Sequence, residues 1–158
     1  MEFFIIYLFT FLSLTTLLFV YAYSIYKEKK LRERITSLVN RSQMFTPEEL
    51  FELRARRSNR SLVINDYNSP GVYVLLNLDK DMYYVGQGKK VFDRVNAHFS
   101  GRGNGDVYAD YKYGDDFGIR ILDLYNSGYD SLNELERHTI RAYNAYGRGY
   151  NRNRGIRN

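Results

Sequence analysis

An uninterrupted apolar run at the N-terminus constrains this chain more than any other feature of its sequence. From Phe3 to Tyr26 there are 24 residues without a charge, mostly aliphatic and aromatic. At about 1.5 Å per residue, a helix of this length crosses a hydrocarbon core about 30 Å thick. We therefore predict a transmembrane helix over residues 1–26.

A cleaved signal peptide is the alternative interpretation of this run. Such a peptide has a basic start, a shorter apolar core and a cleavage site between small residues. Here the chain starts with Met-Glu, the run is long, and Tyr23–Tyr26 offers no pair of small residues. These features favour a retained membrane anchor.

The charges around the run predict its orientation. No Lys or Arg precedes it, whereas five follow it closely: Lys27, Lys29, Lys30, Arg32 and Arg34. Positively charged flanks of membrane helices stay in the cytoplasm. We expect a single-pass protein of the cell membrane whose body faces the cytoplasm and whose basic flank contacts membrane lipid.

Residues 27–61 are predicted to form a basic helical connector. Its apolar residues recur at helical spacing, at Leu31, Ile35, Leu38 and Val39. This spacing indicates that the helix continues out of the membrane. It then either lies on the lipid surface or pairs with a second copy of itself, which would give a homodimer. A Thr-Pro-Glu-Glu stretch from residue 46 predicts a new helix that ends near Arg57.

Residues 62–158 have the pattern of a small α+β domain. Strands are predicted over Gly71–Leu78, Met82–Gly86 and Phe117–Leu124, and helices over Val91–Phe99 and Ser131–Tyr146. The first two strands form a hairpin, and Gly101–Gly105 is predicted to be a glycine-rich loop. The pattern predicts a short antiparallel three-stranded sheet flanked by helices.

The composition limits the kind of metal site that this domain can hold. Cysteine is absent and only two histidines occur, His98 and His138, so disulfides and thiolate zinc sites are excluded. Any metal is held mainly by carboxylates and water, which favours Mg²⁺ or Mn²⁺.

Several polar residues follow one another at regular places along these elements. Gly71-Val72-Tyr73 lies on the first strand and Tyr84-Val85-Gly86 on the second, with the tyrosines 11 residues apart. Arg94, His98, Glu136 and Asn151 follow in that order on the later elements. Each residue alone is more often a packing or solvated surface residue, so only the ordered set is informative.

In sequence and spacing this set resembles the GIY-YIG nuclease family, with one Ile-to-Val change in each name motif. The resemblance covers about 90 residues, roughly Leu62 to Asn151. It implies a GIY-YIG nuclease fold and an endonuclease that hydrolyses phosphodiester bonds with one divalent metal ion. The same resemblance implies that DNA is the substrate and that no small-molecule cofactor takes part.

The resemblance also implies a role for each residue of the set. The catalytic residues would be Tyr73, Tyr84, Arg94, His98, Glu136 and Asn151. Tyr73 would be the general base or would hold the attacking water, and Tyr84 would position phosphate or water. Arg94 would stabilise phosphate charge, His98 would relay a proton or contact phosphate, and Glu136 would bind Mg²⁺ or Mn²⁺. Asn151 would brace the site, and Gly86 would let the backbone approach the phosphate.

One residue departs from the family pattern. Asp93 stands where many relatives carry a basic residue, and its charge would weaken phosphate attraction. All six core positions are retained, so we expect an active enzyme.

Three functions are compatible with these features. The first is a membrane-anchored DNA endonuclease of low sequence specificity, directed against incoming phage or foreign DNA. From Arg137 to the C-terminus there are six arginines and no acid, which suits contact with phosphates. The second is a membrane-tethered nucleic-acid-binding or adaptor module with a catalytically silent domain. The third, a homing nuclease, is disfavoured by the membrane helix, because homing requires access to chromosomal target sites.

Overall fold

A single long helix opens the structure, a computed structural model that describes residues 2–58 and 68–155. Helix α1 spans Glu2–Arg41 without a break, so it continues from the apolar run into the basic residues, as predicted. It is long and apolar enough to cross a membrane. All side chains from Phe3 to Tyr26 are exposed. Among the residues that the structure describes, these apolar side chains therefore have no core to pack into.

The chain divides into two compact units between Arg34 and Ile35, inside α1. In the second unit, Ile35 and Val39 are 0% and 5% exposed. The Arg120 guanidinium donates hydrogen bonds to the carbonyls of Val39, at 2.9 Å, and Ser42, at 2.6 Å. The end of α1 thus belongs to the second unit. Packing within this unit explains why Ile35 and Val39 of the predicted connector are buried, without a second copy of the chain.

The second unit is an α+β domain, which confirms the predicted fold class. Its elements in chain order are β1 (Met44–Phe45), α2 (Pro47–Ser58), β2 (Gly71–Asn77), β3 (Met82–Gly88), α3 (Val91–Phe99), α4 (Gly105–Tyr113), β4 (Phe117–Asp123), α5 (Leu132–Ala142) and α6 (Ala145–Arg148). The sheet has the order β1-β4-β2-β3, with every pair antiparallel. It has four strands where three were predicted, because a two-residue strand is too short to show an alternating pattern.

Strand β1 and helix α2 extend the domain toward the N-terminus. Phe45 pairs with Ile119 of β4 and is 6% exposed. The Thr46 side chain accepts from the Glu49 amide while Glu49 accepts from the Thr46 amide, the reciprocal bonds of a capping box. Leu50 of α2 is fully buried. Part of the predicted connector therefore belongs to the domain core, and the predicted boundary between residues 61 and 62 lies outside the described residues.

Strand β2 occupies the centre of the sheet, between β4 and β3. Its side chains alternate between the two faces, and nearly all are buried because apolar residues occupy both. On one face, Tyr73 and Leu75 share a core cluster with Val91 and Val95 of α3. Tyr73 pairs directly with Gly86 of β3, so the two glycine-tyrosine motifs lie side by side.

One helix was missed and the end of another was wrong. Helix α4 was not predicted; it starts at Gly105, the last residue of the predicted loop, and Asn104 caps it by accepting from the amides of Asp106 and Val107. The predicted long helix from Ser131 ends at Ala142, because Asn144 adopts a left-handed conformation with φ of 50°. This break matters for the site, because it returns the chain to β3: the Tyr150 amide donates to the Tyr83 carbonyl at 2.9 Å.

Candidate active site

An open cleft of about 360 Å³ lies at the outer edge of β3. The residues that line it are Tyr84, Val85, Arg94, His98, Arg102, Gly103, Asn104, Glu136, Asn151, Arg152 and Asn153. Five of the six predicted catalytic residues are among them, and the sixth, Tyr73, is buried directly behind His98. Residues far apart in sequence therefore meet in one place.

Tyr73 and His98 form the buried back of the cleft. They are 0% and 1% exposed, and the Tyr73 hydroxyl lies 2.8 Å from His98 Nε2. Gly86 makes room for this pair, because a Cβ there would overlap the Tyr73 hydroxyl. The close packing of Tyr73 therefore explains why residue 86 is a glycine. The predicted role of Gly86 toward phosphate stays a prediction.

The second ring nitrogen of His98 is also bonded. The backbone amide of Asn104 donates to His98 Nδ1 at 2.8 Å. Burial, and secondarily the Arg94 guanidinium, lower the pKa of His98 to about 4. His98 is therefore neutral at physiological pH, and both of its ring nitrogens are bonded to atoms of the chain.

Tyr84 stands in front of this pair on β3. Its ring centroid is 4.6 Å from that of His98 and 6.2 Å from that of Tyr73. Burial raises the pKa of both tyrosines, and the Arg94 guanidinium opposes this rise. Both phenols are thus protonated in the free protein, and a nearby positive charge favours their ionised forms.

Arg94 is an exposed positive charge that lines the cleft. It lies in α3 one turn before His98, so the two residues share a helix face. Its guanidinium lowers the pKa of Tyr73, Tyr84 and His98 alike. An arginine here can donate to phosphate oxygens at any physiological pH.

Glu136 supplies the negative charge of the cleft, from helix α5. Its Oε2 accepts a hydrogen bond from Gln87 Nε2 at 3.1 Å, and Gln87 also donates to Asn133 at 2.7 Å. Among the described residues, Oε1 makes no hydrogen bond. Burial raises the pKa of Glu136, and the Gln87 bond opposes this effect. A bound cation would relieve the cost of this partly buried charge.

Of the described residues that line the cleft, Glu136 alone carries a carboxylate. Across the described residues, no group of three or more His, Cys, Asp or Glu side chains converges on one point. A single carboxylate does not suit Zn²⁺, which needs three or four protein ligands. It does fit Mg²⁺, which keeps several waters and commonly binds through one or two carboxylates together with substrate phosphates.

Asn151 seals the free edge of β3. Its Oδ1 accepts from the Val85 amide at 2.8 Å and its Nδ2 donates to the Val85 carbonyl at 2.7 Å. The side chain thus replaces a neighbouring strand at this point. Since its polar atoms are bonded to the backbone, Asn151 acts on the site by holding β3 in place.

Comparison with known proteins gives this cleft a family. A family model described as the GIY-YIG catalytic domain matches residues 69–151, slightly more than half of the chain. The chain belongs to the GIY-YIG family. The family consists of nucleases, so a nuclease-type function is implied. No curated protein and no solved structure gives a significant match.

The departure at Asp93 has a structural explanation in this GIY-YIG domain. Asp93 lies in the first turn of α3, where a negative charge is favourable to the helix dipole. Asn68 accepts from the Phe92 amide at 3.0 Å and lies 3.5 Å from the Asp93 carboxylate. Asp93 thus contributes to the start of the helix that carries Arg94 and His98.

Gln87, which bonds Glu136, and three residues that line the cleft, Arg102, Asn104 and Arg152, were missed in the sequence of this GIY-YIG domain. Gln87 carries no signal, since strand alternation places it on the face opposite Tyr84 and Gly86. Asn104 carries one, since Asn-Gly-Asp is a common helix start. Arg102 and Arg152 carry none, because only the fold brings these loop residues to the cleft.

Proposed function

We propose that this protein is a membrane-anchored, divalent-metal-dependent DNA endonuclease of low sequence specificity. The observation that carries the proposal is the meeting of Arg94 and Glu136 in one open cleft, in front of the buried Tyr73–His98 pair. Phosphodiester hydrolysis needs a ligand for a cation, a hydrogen-bond donor to the phosphate oxygens, and groups that orient and deprotonate water. Glu136, Arg94 and the tyrosine hydroxyls can fill these roles. Membership in a family of nucleases supports the same reaction.

In this reaction each residue has a task set by its position. Arg94 donates to the non-bridging oxygens of the scissile phosphate and stabilises the charge that develops there. Tyr84, at the front of the cleft, orients the phosphate or the attacking water. Tyr73 loses its hydroxyl proton to water, which the charge of Arg94 favours. It then accepts the proton of the attacking water, whose oxygen bonds to phosphorus as the P–O bond to the leaving oxygen breaks. Glu136 holds the Mg²⁺ or Mn²⁺, which when bound neutralises phosphate charge and polarises the ester.

Two further arginines support a polymeric substrate. Arg102 and Arg152 line the same cleft as Arg94 and are both exposed. Arg152 is held by Asp106 at 3.0 Å, in an ion pair that water screens strongly. Together they extend the positive charge beyond the reacting phosphate, so that neighbouring phosphates of one strand are bound as well.

Low sequence specificity follows from how the substrate is contacted. Zinc fingers are excluded because cysteine is absent, and the cleft offers arginines that suit phosphates. Phosphate contacts position DNA without reading its bases. Specificity would then depend on the shape and deformability of the DNA.

The anchor gives such an enzyme its biological setting. We propose that α1 spans the cell membrane once and that Lys27, Lys29 and Lys30 keep the nuclease domain in the cytoplasm. A free nuclease of low specificity would attack the chromosome, whereas an anchored one acts on phage or foreign DNA that enters through the membrane. Cells that express residues 27–158 alone should resist phage less than cells with the full chain; equal protection would contradict this setting.

A catalytically silent adaptor is the second candidate. It is favoured by the single carboxylate of the cleft, since a protein that binds DNA without cutting it needs no metal. It would retain the arginines and bind DNA regardless of Glu136.

A plasmid-cleavage assay separates the two candidates. The fragment 27–158 lacks the apolar run but keeps the whole compact unit, including Ile35, Phe45 and Leu50, which a fragment that starts at residue 61 would lose. We expect it to nick or linearise supercoiled plasmid with Mg²⁺ or Mn²⁺ and not with EDTA.

The decisive variant is Glu136→Gln, with Glu134→Gln as its matched control on the same helix. We expect Glu136→Gln to lower cleavage at least about 100-fold, and Glu134→Gln to have little effect. Because the pKa of Glu136 is raised in the folded state, removing its charge should not lower stability at neutral pH. Binding without cleavage by the unmodified fragment, under both metals, would instead support the adaptor.

A further inference from the structure

The hydrogen bonds around His98 determine which of its ring nitrogens carries the proton. The Asn104 amide always has a hydrogen, and it donates to Nδ1 at 2.8 Å. Nδ1 must therefore present its lone pair, and a neutral imidazole then carries its proton on Nε2. Since Nε2 lies 2.8 Å from the Tyr73 hydroxyl, the proton lies between His98 and Tyr73.

The loop that supplies this amide is built to lie against the imidazole. Gly103 is in such close contact that a Cβ there would lie 2.5 Å from His98 Nδ1. Asn104 Oδ1 accepts from the amides of Asp106 and Val107 at 2.9 and 3.1 Å. Its Nδ2 donates to the Tyr150 carbonyl at 3.1 Å, beside Asn151. The Asn104 side chain thus attaches the loop to both α4 and the C-terminal segment.

We propose that Asn104 is a positioning residue that holds neutral His98 in the Nε2–H tautomer, so that His98 donates a hydrogen bond to the Tyr73 hydroxyl. The inference rests on the proposed function for its catalytic meaning, although its main measurement needs no catalysis. It assigns a role to a residue outside the predicted catalytic set, and it changes the role of His98.

The consequence for Tyr73 is a defined hydrogen-bond direction. The Tyr73 oxygen accepts from His98, so its own proton points away from His98, toward the cleft. His98 cannot take that proton, because Nε2 already carries one and Nδ1 faces the Asn104 amide. When Tyr73 ionises, its proton passes to water in the cleft, and the His98 N–H stabilises the phenolate. His98 is thus a donor to Tyr73, in place of the proton relay implied by the family resemblance.

Double protonation of His98 is opposed by the same geometry. A proton on Nδ1 would face the Asn104 N–H, and the Arg94 guanidinium lies nearby. Burial and this charge keep the pKa of His98 near 4. The neutral donor form therefore persists across the physiological pH range.

The chain contains two histidines, which makes the tautomer directly measurable. The full chain, labelled with ¹⁵N-histidine and held in detergent micelles at pH 7, gives long-range ¹H–¹⁵N correlations that separate protonated from unprotonated ring nitrogens. His138→Gln assigns the signals, since His138 lies outside the cleft. We expect His98 to show Nε2 protonated and Nδ1 not. An Nδ1–H form, or averaged shifts for both nitrogens, would overturn the proposal.

Variants of Asn104 test its part in the arrangement. Asn104→Ala removes the α4 cap and the bond to Tyr150, so we expect averaged ¹⁵N shifts at His98 and reduced cleavage. Asn104→Ser keeps a capping oxygen and should retain more of the unmodified tautomer pattern; it also serves if the alanine variant does not fold. Unchanged His98 shifts in both variants would show that Asn104 does not position His98. If the full chain has the expected tautomer but never cleaves DNA, the proposed function fails while the tautomer assignment stands.

Discussion

The back and the front of the cleft hold their polar groups in opposite ways. At the back, Tyr73 and His98 are buried and bonded to each other and, through His98, to the loop at Asn104. At the front, Arg94 is exposed and Glu136 keeps one oxygen without a hydrogen bond among the described residues. The polar groups at the back are hydrogen-bonded to other groups of the protein, whereas those at the front can bind a ligand. Changes at the back should therefore alter stability and catalysis together, and changes at the front catalysis alone.

The largest expected effect is at the front, in Arg94→Gln. Loss of a donor to the developing phosphate charge should lower turnover about 100- to 1,000-fold. Because Arg94 is exposed, the free energy of unfolding should change by less than about 0.5 kcal/mol. Plasmid nicking and urea unfolding of fragment 27–158 measure the two quantities. A large loss of stability would show that Arg94 belongs to the structural side of the cleft.

The next effect is at the back, in the pH dependence of stability. The folded pKa of His98, about 4, lies below its ordinary value of 6.5. Between these values the unfolded chain binds a proton that the folded chain does not, so stability is complete above about pH 6.5 and falls as the pH drops toward 4. The full difference corresponds to about 3 kcal/mol.

Comparison with His98→Gln isolates this contribution, because His138 is present in both proteins. Chemical unfolding at pH 4, 5, 6 and 7 should show the unmodified fragment losing up to about 3 kcal/mol more than the variant toward acid. Parallel pH profiles would mean that His98 titrates normally and is not buried as the structure has it.

The smallest effect is expected at the rim, in Arg102→Gln. Removing one phosphate contact should weaken DNA binding several-fold and reduce the slope of log affinity against log salt by about 1. Turnover at saturating DNA should fall far less than in Arg94→Gln. Lys112→Gln is the control for charge, since Lys112 is exposed on α4 and does not line the cleft. If the slope of log affinity against log salt is equal for the unmodified protein, Arg102→Gln and Lys112→Gln, then Arg102 does not contact DNA.

Much of the fold could be predicted because its signals are local. The β2–β3 hairpin was predicted from two β-type runs around a short polar turn. Helix α3 was predicted from helical spacing and has the predicted bounds, Val91–Phe99. Strand β1 was missed because it forms only against β4. The predicted end of the helix from Ser131 was wrong. Tyr143-Asn144-Ala145 contains no Pro or Gly to indicate a break, yet Asn144 adopts a left-handed backbone conformation.

The site divides in the same way. Tyr73, Tyr84, Arg94 and Glu136 could be named because their order and spacing resemble those of the GIY-YIG family. The partners of His98 and Glu136 could not, because the bonds from Asn104 and Gln87 join separate elements.

The sequence by itself determined that an apolar helix precedes an α+β domain, since hydrophobic run length and periodicity are properties of consecutive residues. Only the tertiary structure decided that the end of α1, β1 and α2 belong to that domain, that Arg102 and Arg152 reach the cleft, and that His98 faces the Asn104 amide. These facts depend on contacts between residues distant in the chain, which are formed when burial of the shared core brings the elements together.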